Sequence, residues 1–143
     1  MNDSISSSIS KRTNGALAAV AALACLSIMI AGCQSTLSFE KQYTLTPSDI
    51  ISLPIDAVGV EQTIHVSASS TDDAQFAVHV YLAKDEDAAE REITTGATTD
   101  LILGSATDIT NANVSATIPA NEGSVVRISA QGNAVTVNVA INN

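Results

Sequence analysis

The chain contains two histidines, His65 and His79, whose spacing could support metal binding. Each lies in a stretch of alternating apolar and polar residues, and the short polar linker between the stretches predicts a β-hairpin. In a hairpin centred on Asp72, His65 faces His79 with Cβ atoms ~4.5–5.5 Å apart, so that two imidazoles could share a transition metal with Glu61 as a third ligand. Other registers with the same inward faces separate the histidines, and the alternative is two polar residues on a solvated sheet face.

Residues 85–92 form the most strongly charged stretch, with Asp85, Glu86, Asp87 and Glu90 as candidate ligands of a divalent cation. An EF-hand loop requires acidic residues at fixed spacing, a glycine and a terminal glutamate. This stretch lacks the glycine and the spacing, which limits the expectation to weak binding of a divalent cation. The preferred interpretation is a solvated loop that keeps the domain soluble, with a helical turn as the alternative. No other cofactor is predicted.

The sequence shows no motif for catalysis. Its serines do not form a Gly-x-Ser-x-Gly nucleophile elbow, and its glycines match neither a phosphate-binding loop nor a dinucleotide fingerprint. The first functional hypothesis is a binding or assembly module, because the predicted exposed strand faces are rich in Thr, Ser and Asn and free sheet edges suit strand addition. The second is a metal- or small-ligand-binding protein that uses His65 and His79 or residues 85–92. Because no catalytic motif is present, the sequence predicts a protein that is not an enzyme, and an unrecognised hydrolase is the third hypothesis.

Cys33 ends an uncharged apolar run, residues 15–33, that follows a lysine and an arginine. A basic start, an apolar centre and small residues before a cleavage point are the parts of a secretory signal peptide. The segment Ile30-Ala31-Gly32-Cys33 resembles the lipobox of bacterial lipoproteins. The resemblance implies cleavage between Gly32 and Cys33 and acylation of the Cys33 thiol, so that lipid chains such as palmitate anchor the protein to a membrane.

The lipoprotein resemblance also implies a location and a division of the chain. In lipoproteins of Gram-negative bacteria, aspartate after the lipidated cysteine favours the inner membrane; Gln34 stands at that position, which points to the outer membrane, facing the periplasm or the cell surface. Because each buried CH₂ of an acyl chain contributes ~0.8 kcal/mol, two or three chains hold a protein without a spanning helix. We expect a signal peptide at 1–32, a lipidated cysteine and tether at 33–36, and a domain at 37–143.

The predicted mature chain is strongly acidic. Cleavage before Cys33 removes one of 15 acidic and two of six basic residues, which leaves 14 acidic and four basic residues and a formal net charge of −10. This charge opposes binding to nucleic acid and adsorption to anionic lipid, so membrane affinity has to come from the acyl chains. Cys25 lies in the predicted signal peptide, so no disulfide is expected. The expected partners are the membrane, through the lipid, and a protein of the cell envelope.

Alternating hydrophobicity predicts about eight short strands and no helix after Cys33. The predicted strands are 37–45, 50–53, 61–69, 75–83, 100–104, 112–118, 125–130 and 134–141. Pro54 is expected to end the second strand, and the third strand is expected to form a hairpin with the fourth, as is the seventh with the eighth. One-sided strands bury their apolar faces by stacking two sheets, so the predicted fold is an all-β antiparallel sandwich of Greek-key or immunoglobulin-like type, with a small β-barrel as the alternative.

Overall fold

Eight strands and one short helix make up the part of the chain that the computed structural model describes, residues 36–97 and 99–143. Their bounds are β1 Ser38–Leu45, β2 Ile50–Ile55, β3 Gln62–Ser70, β4 Phe76–Leu82, α1 Glu86–Thr95 after a 3₁₀ turn at Ala83–Asp85, β5 Ile102–Ile109, β6 Asn111–Ile118, β7 Ser124–Ala130 and β8 Val135–Asn142. The predicted signal peptide, its cleavage site and Cys33 lie outside the described residues.

The strands form two antiparallel sheets of four strands each, sheet A in the order β1-β8-β3-β6 and sheet B in the order β2-β7-β4-β5. The alternating strands bury one face between the sheets: Ile64, Val66 and Ala68 of β3 are buried, and their neighbours Thr63, His65 and Ser67 are exposed. The prediction of an all-β antiparallel sandwich with about eight strands is confirmed. The two sheets stay separate over the described residues, so the barrel alternative is not observed.

Both predicted hairpins are wrong, because the chain crosses from one sheet to the other at those turns. β3 pairs with β6 and β8, whereas β4 pairs with β5 and β7, and β7 and β8 also lie in different sheets. A short polar linker suits either connection, but only a crossing places the apolar faces of the two strands against each other across the core. Asp72 stabilises the connection between β3 and β4, because its carboxylate accepts hydrogen bonds from the Ser70 hydroxyl and the Thr136 N–H. The bond from Ser70 is the main cause of the lowered pKa of Asp72.

The charged stretch expected to be a solvated loop is instead the helix α1. The apolar side of this helix consists mainly of Ala89 and the half-buried Ile93, which lie one turn apart. Two such residues are too few to show the hydrophobic periodicity of a helix in the sequence. The acidic residues of its first turn lie at the positive end of the helix dipole, and Gly96 ends the helix in the left-handed conformation, with φ 69°. The prediction of no helix after Cys33 was therefore wrong.

Pro54 does not end the second strand, which continues to Ile55. β2 is the edge strand of sheet B and pairs on one side only, with β7. A proline lacks the backbone N–H, so an edge strand accommodates it with its nitrogen away from the paired neighbour.

The edge strands β5 and β6 close one side of the sandwich. They belong to different sheets, and Gly104 of β5 lies so near β6 that a Cβ there would be 2.7 Å from Val114 Cγ1 and 3.1 Å from the Ser115 carbonyl oxygen. Glycine is required at this close approach because no other residue lacks the Cβ. The opposite side of the sandwich lies between the edge strands β1 and β2.

Candidate binding surface

α1 and the segment that follows it cover part of the outer face of sheet B, whereas Ile50, Ser52 and Ser105 on its edge strands are exposed. Tyr81 of β4, Val125 of β7 and Ala89 of α1 form a second buried cluster, separate from the core between the sheets. Ile93, Leu101 and Ile102 pack against this cluster. The central strands β4 and β7 of this face are therefore buried and offer little surface to a partner.

A polar contact holds α1 onto sheet B. The Nε of Arg127 lies 3.1 Å from Oε1 and 3.2 Å from Oε2 of Glu90, and the Tyr81 hydroxyl donates a hydrogen bond of 2.8 Å to Oε1. The Arg127 side chain is 7% exposed and that of Glu90 is 32% exposed, so the guanidinium is the more deeply buried partner. Burial, followed by the bond to Glu90, raises the pKa of Tyr81 well above its usual value and keeps this hydroxyl protonated.

His79 lies on β4 directly opposite Arg127 of β7 and is 8% exposed. Its Nδ1 has no hydrogen-bond partner among the described residues. Burial lowers the pKa of His79 below its usual value, and the nearby guanidinium of Arg127 adds to this effect, while Glu90 opposes it. The imidazole is therefore held neutral next to the ion pair.

The proposed metal pair is not brought together. His65 lies on the exposed outer face of sheet A, where its Nδ1 is 2.9 Å from Ser115 Oγ, whereas His79 lies on the outer face of sheet B. The core between the sheets separates them, because the hairpin on which the hypothesis depended does not form. Glu61 precedes β3 and is exposed. In the part of the chain that the structure describes, no three His, Cys, Asp or Glu residues are grouped to hold a metal.

The candidate cation ligands are distributed along a helix rather than around a loop. Asp85 ends the 3₁₀ turn, and Glu86 and Asp87 begin α1. The carboxylate of Glu90 is engaged by Arg127 and Tyr81. A helix directs successive side chains about 100° apart, so these carboxylates do not converge as they would in a calcium-binding loop.

Within residues 36–97 and 99–143, the outer face of sheet A is an extended surface whose strands are exposed across all four positions of the sheet. We call it the sheet A face and define it by the outward-pointing residues of its four strands: Ser38, Glu40, Gln42 and Thr44 on β1; Thr136, Asn138, Ala140 and Asn142 on β8; Thr63, His65, Ser67 and Ser69 on β3; and Asn111, Asn113, Ser115 and Thr117 on β6. All are exposed or half-buried. Glu40 is the only Asp, Glu, Lys or Arg among these residues, so this surface of a very acidic domain is nearly uncharged.

Hydrogen bonds between neighbouring strands order the sheet A face. Gln42 Nε2 donates to Asn138 Oδ1 at 3.0 Å, and the Ser67 hydroxyl donates to Asn113 Oδ1 at 3.0 Å. The hydroxyls of Thr44 and Thr136 lie 3.3 Å apart. These contacts restrict the side chains before any partner arrives, which lowers the entropy cost of binding.

A shallow depression of about 270 Å³ lies in the middle of the sheet A face. Its floor contains the small side chains of Ala140, Ser67 and Ser69, and longer polar side chains surround them. Glu40 lies at its β1 side, opposite Ala140 in the register of β1 and β8. The depression therefore fits a protruding polar side chain, and its one carboxylate favours a cationic one.

Sequence reasoning identified the Ser, Thr and Asn side chains of this face but missed the contact of Arg127 with Glu90. A signal was present, because Arg127 is the single charge in the otherwise uncharged strand β7. A buried arginine requires a carboxylate partner, but the partner is 37 residues away in the chain and local patterns do not reveal it.

Comparisons with known proteins give little further information. No family model matches the chain, and no curated protein matches it. Among solved structures, the chain is similar to PliG of Aeromonas hydrophila, a periplasmic lysozyme inhibitor of g-type lysozyme, with a TM-score of 0.47 and 14% sequence identity over 78% of this chain and 90% of that chain. At this level the likeness assigns no function to the chain. No helix among the described residues combines the length and the apolar character that crossing a membrane requires.

Proposed function

We propose that the chain is a non-catalytic protein of the cell envelope, anchored through an acylated Cys33, that binds a basic protein partner through the sheet A face. The observation that carries the proposal is the contrast between this exposed, nearly uncharged surface and the strongly acidic domain around it. Binding strips water from an interface, and a charged group loses more hydration free energy than a hydroxyl or an amide. The sheet A face therefore costs less desolvation free energy per area than the charged surfaces of the domain.

The size of the sheet A face suits a protein partner. Four strands ~4.8 Å apart, each about eight residues long at ~3.3 Å per residue, give a plane of roughly 500 Å². Each partner in a standard protein interface buries ~800 Å² of accessible surface, which a corrugated plane of this size approaches. Interface centres are depleted of charged residues, as this face is.

The face is a better binding site than the sheet edges, although free edges had suggested strand addition. In the edge strand β1, Lys41 lies on the same side as Phe39 and Tyr43, which pack against the core. The edge strand β2 contains Pro54. Inward-pointing charged residues and prolines commonly prevent an edge strand from pairing with a strand of another protein. The other two edge strands, β5 and β6, approach each other closely at Gly104.

The charge of the domain indicates the sign of its partner. A formal net charge of −10 over the predicted mature chain attracts a cationic protein and accelerates its association. Glu40 at the central depression offers one carboxylate to a lysine or arginine of that partner. This attraction depends on ionic strength, so we expect the association rate to fall as salt is added.

The membrane anchor and the outer-membrane location rest on the lipobox resemblance at Cys33 and on Gln34. Replacement of the thiol by Cys33→Ser removes the acylation site. We expect the parent protein to sediment with membranes and the variant to remain in the precursor form, with its signal peptide attached. A variant that is cleaved and sediments like the parent would contradict the anchor but would leave the sheet A face untested by that experiment.

Photo-crosslinking in living cells tests the binding surface. A photoreactive amino acid is placed at Ser67, in the centre of the sheet A face, or at Ser105, an exposed serine on the outer side of sheet B, as the matched control. We expect a discrete crosslinked protein from position 67 and not from position 105. Adding Glu40→Lys should abolish that product. A product of equal yield from both positions, or one that is insensitive to Glu40→Lys, would refute the assignment.

A further inference from the structure

An apolar cleft of about 160 Å³ lies between the edge strands β1 and β2. The described residues that line it are all apolar: Leu37, Phe39, Leu53, Pro54, Ile55 and Ile141. β5 and β6 approach each other on the other side of the sandwich, whereas β1 and β2 leave a gap between them in the described part of the chain, and the cleft lies in this gap. For comparison of size, an apolar cavity of ~150 Å³ inside a protein core accepts a small apolar molecule such as benzene.

The position of the cleft follows from the strand directions. β1 begins near it, whereas β2 and β8 end near it, because Phe39 pairs with Ile141 in sheet A and Ile55 is the last residue of β2. Leu37 lies immediately before β1 and forms part of the wall. The cleft therefore opens at the end of the sandwich where the described chain begins.

The edges on both sides of the cleft are unsuited to a β-strand as its occupant. Pro54 is itself part of the lining and offers no N–H for strand pairing, and Lys41 interrupts the apolar side of β1. An occupant that uses the apolar walls without backbone hydrogen bonds fits better. An alkyl chain has these properties.

Lys41 supplies a cation beside the cleft. It lies two residues from Phe39 on the same side of β1, which is ~6.6 Å along the strand. Lys84 pairs with Glu122, Arg127 pairs with Glu90, and Arg91 donates to the Asp87 carbonyl oxygen. The Nζ of Lys41 lies 5.1 Å from the centre of the Tyr43 ring, and Lys41 is the one Lys or Arg of the described chain whose side chain has no hydrogen bond or ion pair. Its ammonium is therefore available to an anion.

We propose that the cleft, whose volume is similar to that of a cavity that holds benzene, binds the terminal part of the alkyl chain of a long-chain carboxylate whose head group pairs with Lys41. The apolar walls stabilise the complex because they remove methylene groups of the ligand from water. The Lys41 ammonium attracts the carboxylate head group, although the net negative charge of the domain repels anions. This ligand site uses only described residues and is independent of the sheet A face and of the anchor at Cys33. The protein would then have a second function, the binding of a small ligand at the β1 edge of sheet A.

The test uses residues 36–143, because this segment contains both sheets and the whole described core and needs no strand from elsewhere. Dodecanoate and dodecanol are titrated separately, below the concentrations at which they aggregate, and binding is followed by calorimetry and by NMR shifts of the methyl groups of Leu53 and Ile141. We expect both ligands to saturate one site that shifts these methyl groups. Dodecanoate should bind at least threefold more tightly than dodecanol.

Two variants and one control separate the parts of the site. Lys41→Gln should remove the preference for dodecanoate and leave dodecanol binding unchanged, whereas Lys84→Gln, at a cation paired elsewhere, should change neither affinity. Leu53→Asn should weaken both ligands, with circular dichroism confirming that the variant is folded. Absence of saturable binding to the parent, or shifts at methyl groups remote from the cleft, would overturn the proposal. Equal loss of both ligands in Lys41→Gln would overturn the head-group assignment.

Discussion

The contact of Arg127 with Glu90 makes an asymmetric prediction about stability: removing the carboxylate costs more than removing the guanidinium. The two groups form one ion pair, but the Arg127 side chain is 7% exposed and that of Glu90 is 32% exposed. Glu90→Ala leaves a buried cation without its partner and also deprives the Tyr81 hydroxyl of its acceptor. Arg127→Met leaves a carboxylate that water reaches and that Tyr81 still contacts.

The magnitudes follow from this difference in exposure. Removing one partner of a fully buried pair costs ~3–5 kcal/mol, and because water reaches the space that Glu90 vacates, we expect Glu90→Ala to cost about 2–3 kcal/mol. Arg127→Met keeps most of the aliphatic volume, and loss of a charged hydrogen bond to a part-exposed carboxylate costs about 1 kcal/mol. The double variant should be more stable than Glu90→Ala alone, because it contains no unpaired guanidinium.

Urea unfolding followed by far-ultraviolet circular dichroism measures these differences, since the chain has no tryptophan. With a urea dependence of ~1–3 kcal/mol per molar, a difference of about 1.5 kcal/mol between the single variants separates their midpoints by roughly 1 M. Glu122→Ala is the control, because it breaks the ion pair with the exposed Lys84 and should leave the midpoint nearly unchanged.

Three results would refute this reasoning. Arg127→Met could destabilise the protein as much as Glu90→Ala, the free energies of the single variants could add in the double variant, or both singles could match the exposed control. The first would show that the guanidinium is not the more deeply desolvated group. The second or third would show that the pair does not hold α1 on sheet B.

Two further predictions concern His79 and Gly104. The unfolded chain protonates His79 near its ordinary pKa of ~6.5, whereas burial lowers the pKa in the folded state, so the unfolded state binds more protons and stability falls as the pH drops below about 6.5. Urea midpoints of His79→Gln should lose this part of the pH dependence, and a slope identical to that of the parent would contradict the assignment. Gly104→Val should cost ~1–3 kcal/mol, because its Cβ meets Val114 and the Ser115 carbonyl at distances that require a shift. Gly59→Val, where nothing lies within 4 Å of the added Cβ, is the control, and equal effects at the two positions would be inconsistent with a close approach of β5 and β6.

The sequence alone determined the fold class, since an apolar and a polar side of a strand are local properties. Ile64, Val66 and Ala68 alternate with polar neighbours in any context, and so do the residues of β8. The same alternation identified the polar residues that form the sheet A face. The sequence did not predict helix α1, because its apolar side consists of little more than Ala89 and Ile93. These residues are buried only by packing with Tyr81 and Val125 of the sheet.

Only the tertiary structure decided which strands pair and therefore which side chains meet. The linker at 71–75 is short and polar enough for a hairpin or for a crossing between sheets, and the choice depends on where the apolar faces of all eight strands are buried together. That choice separated His65 from His79, joined Arg127 to Glu90 and left an apolar cleft between β1 and β2. Pairing is a property of the whole core, because burial is shared among strands distant in the chain, and local patterns carry no information about it.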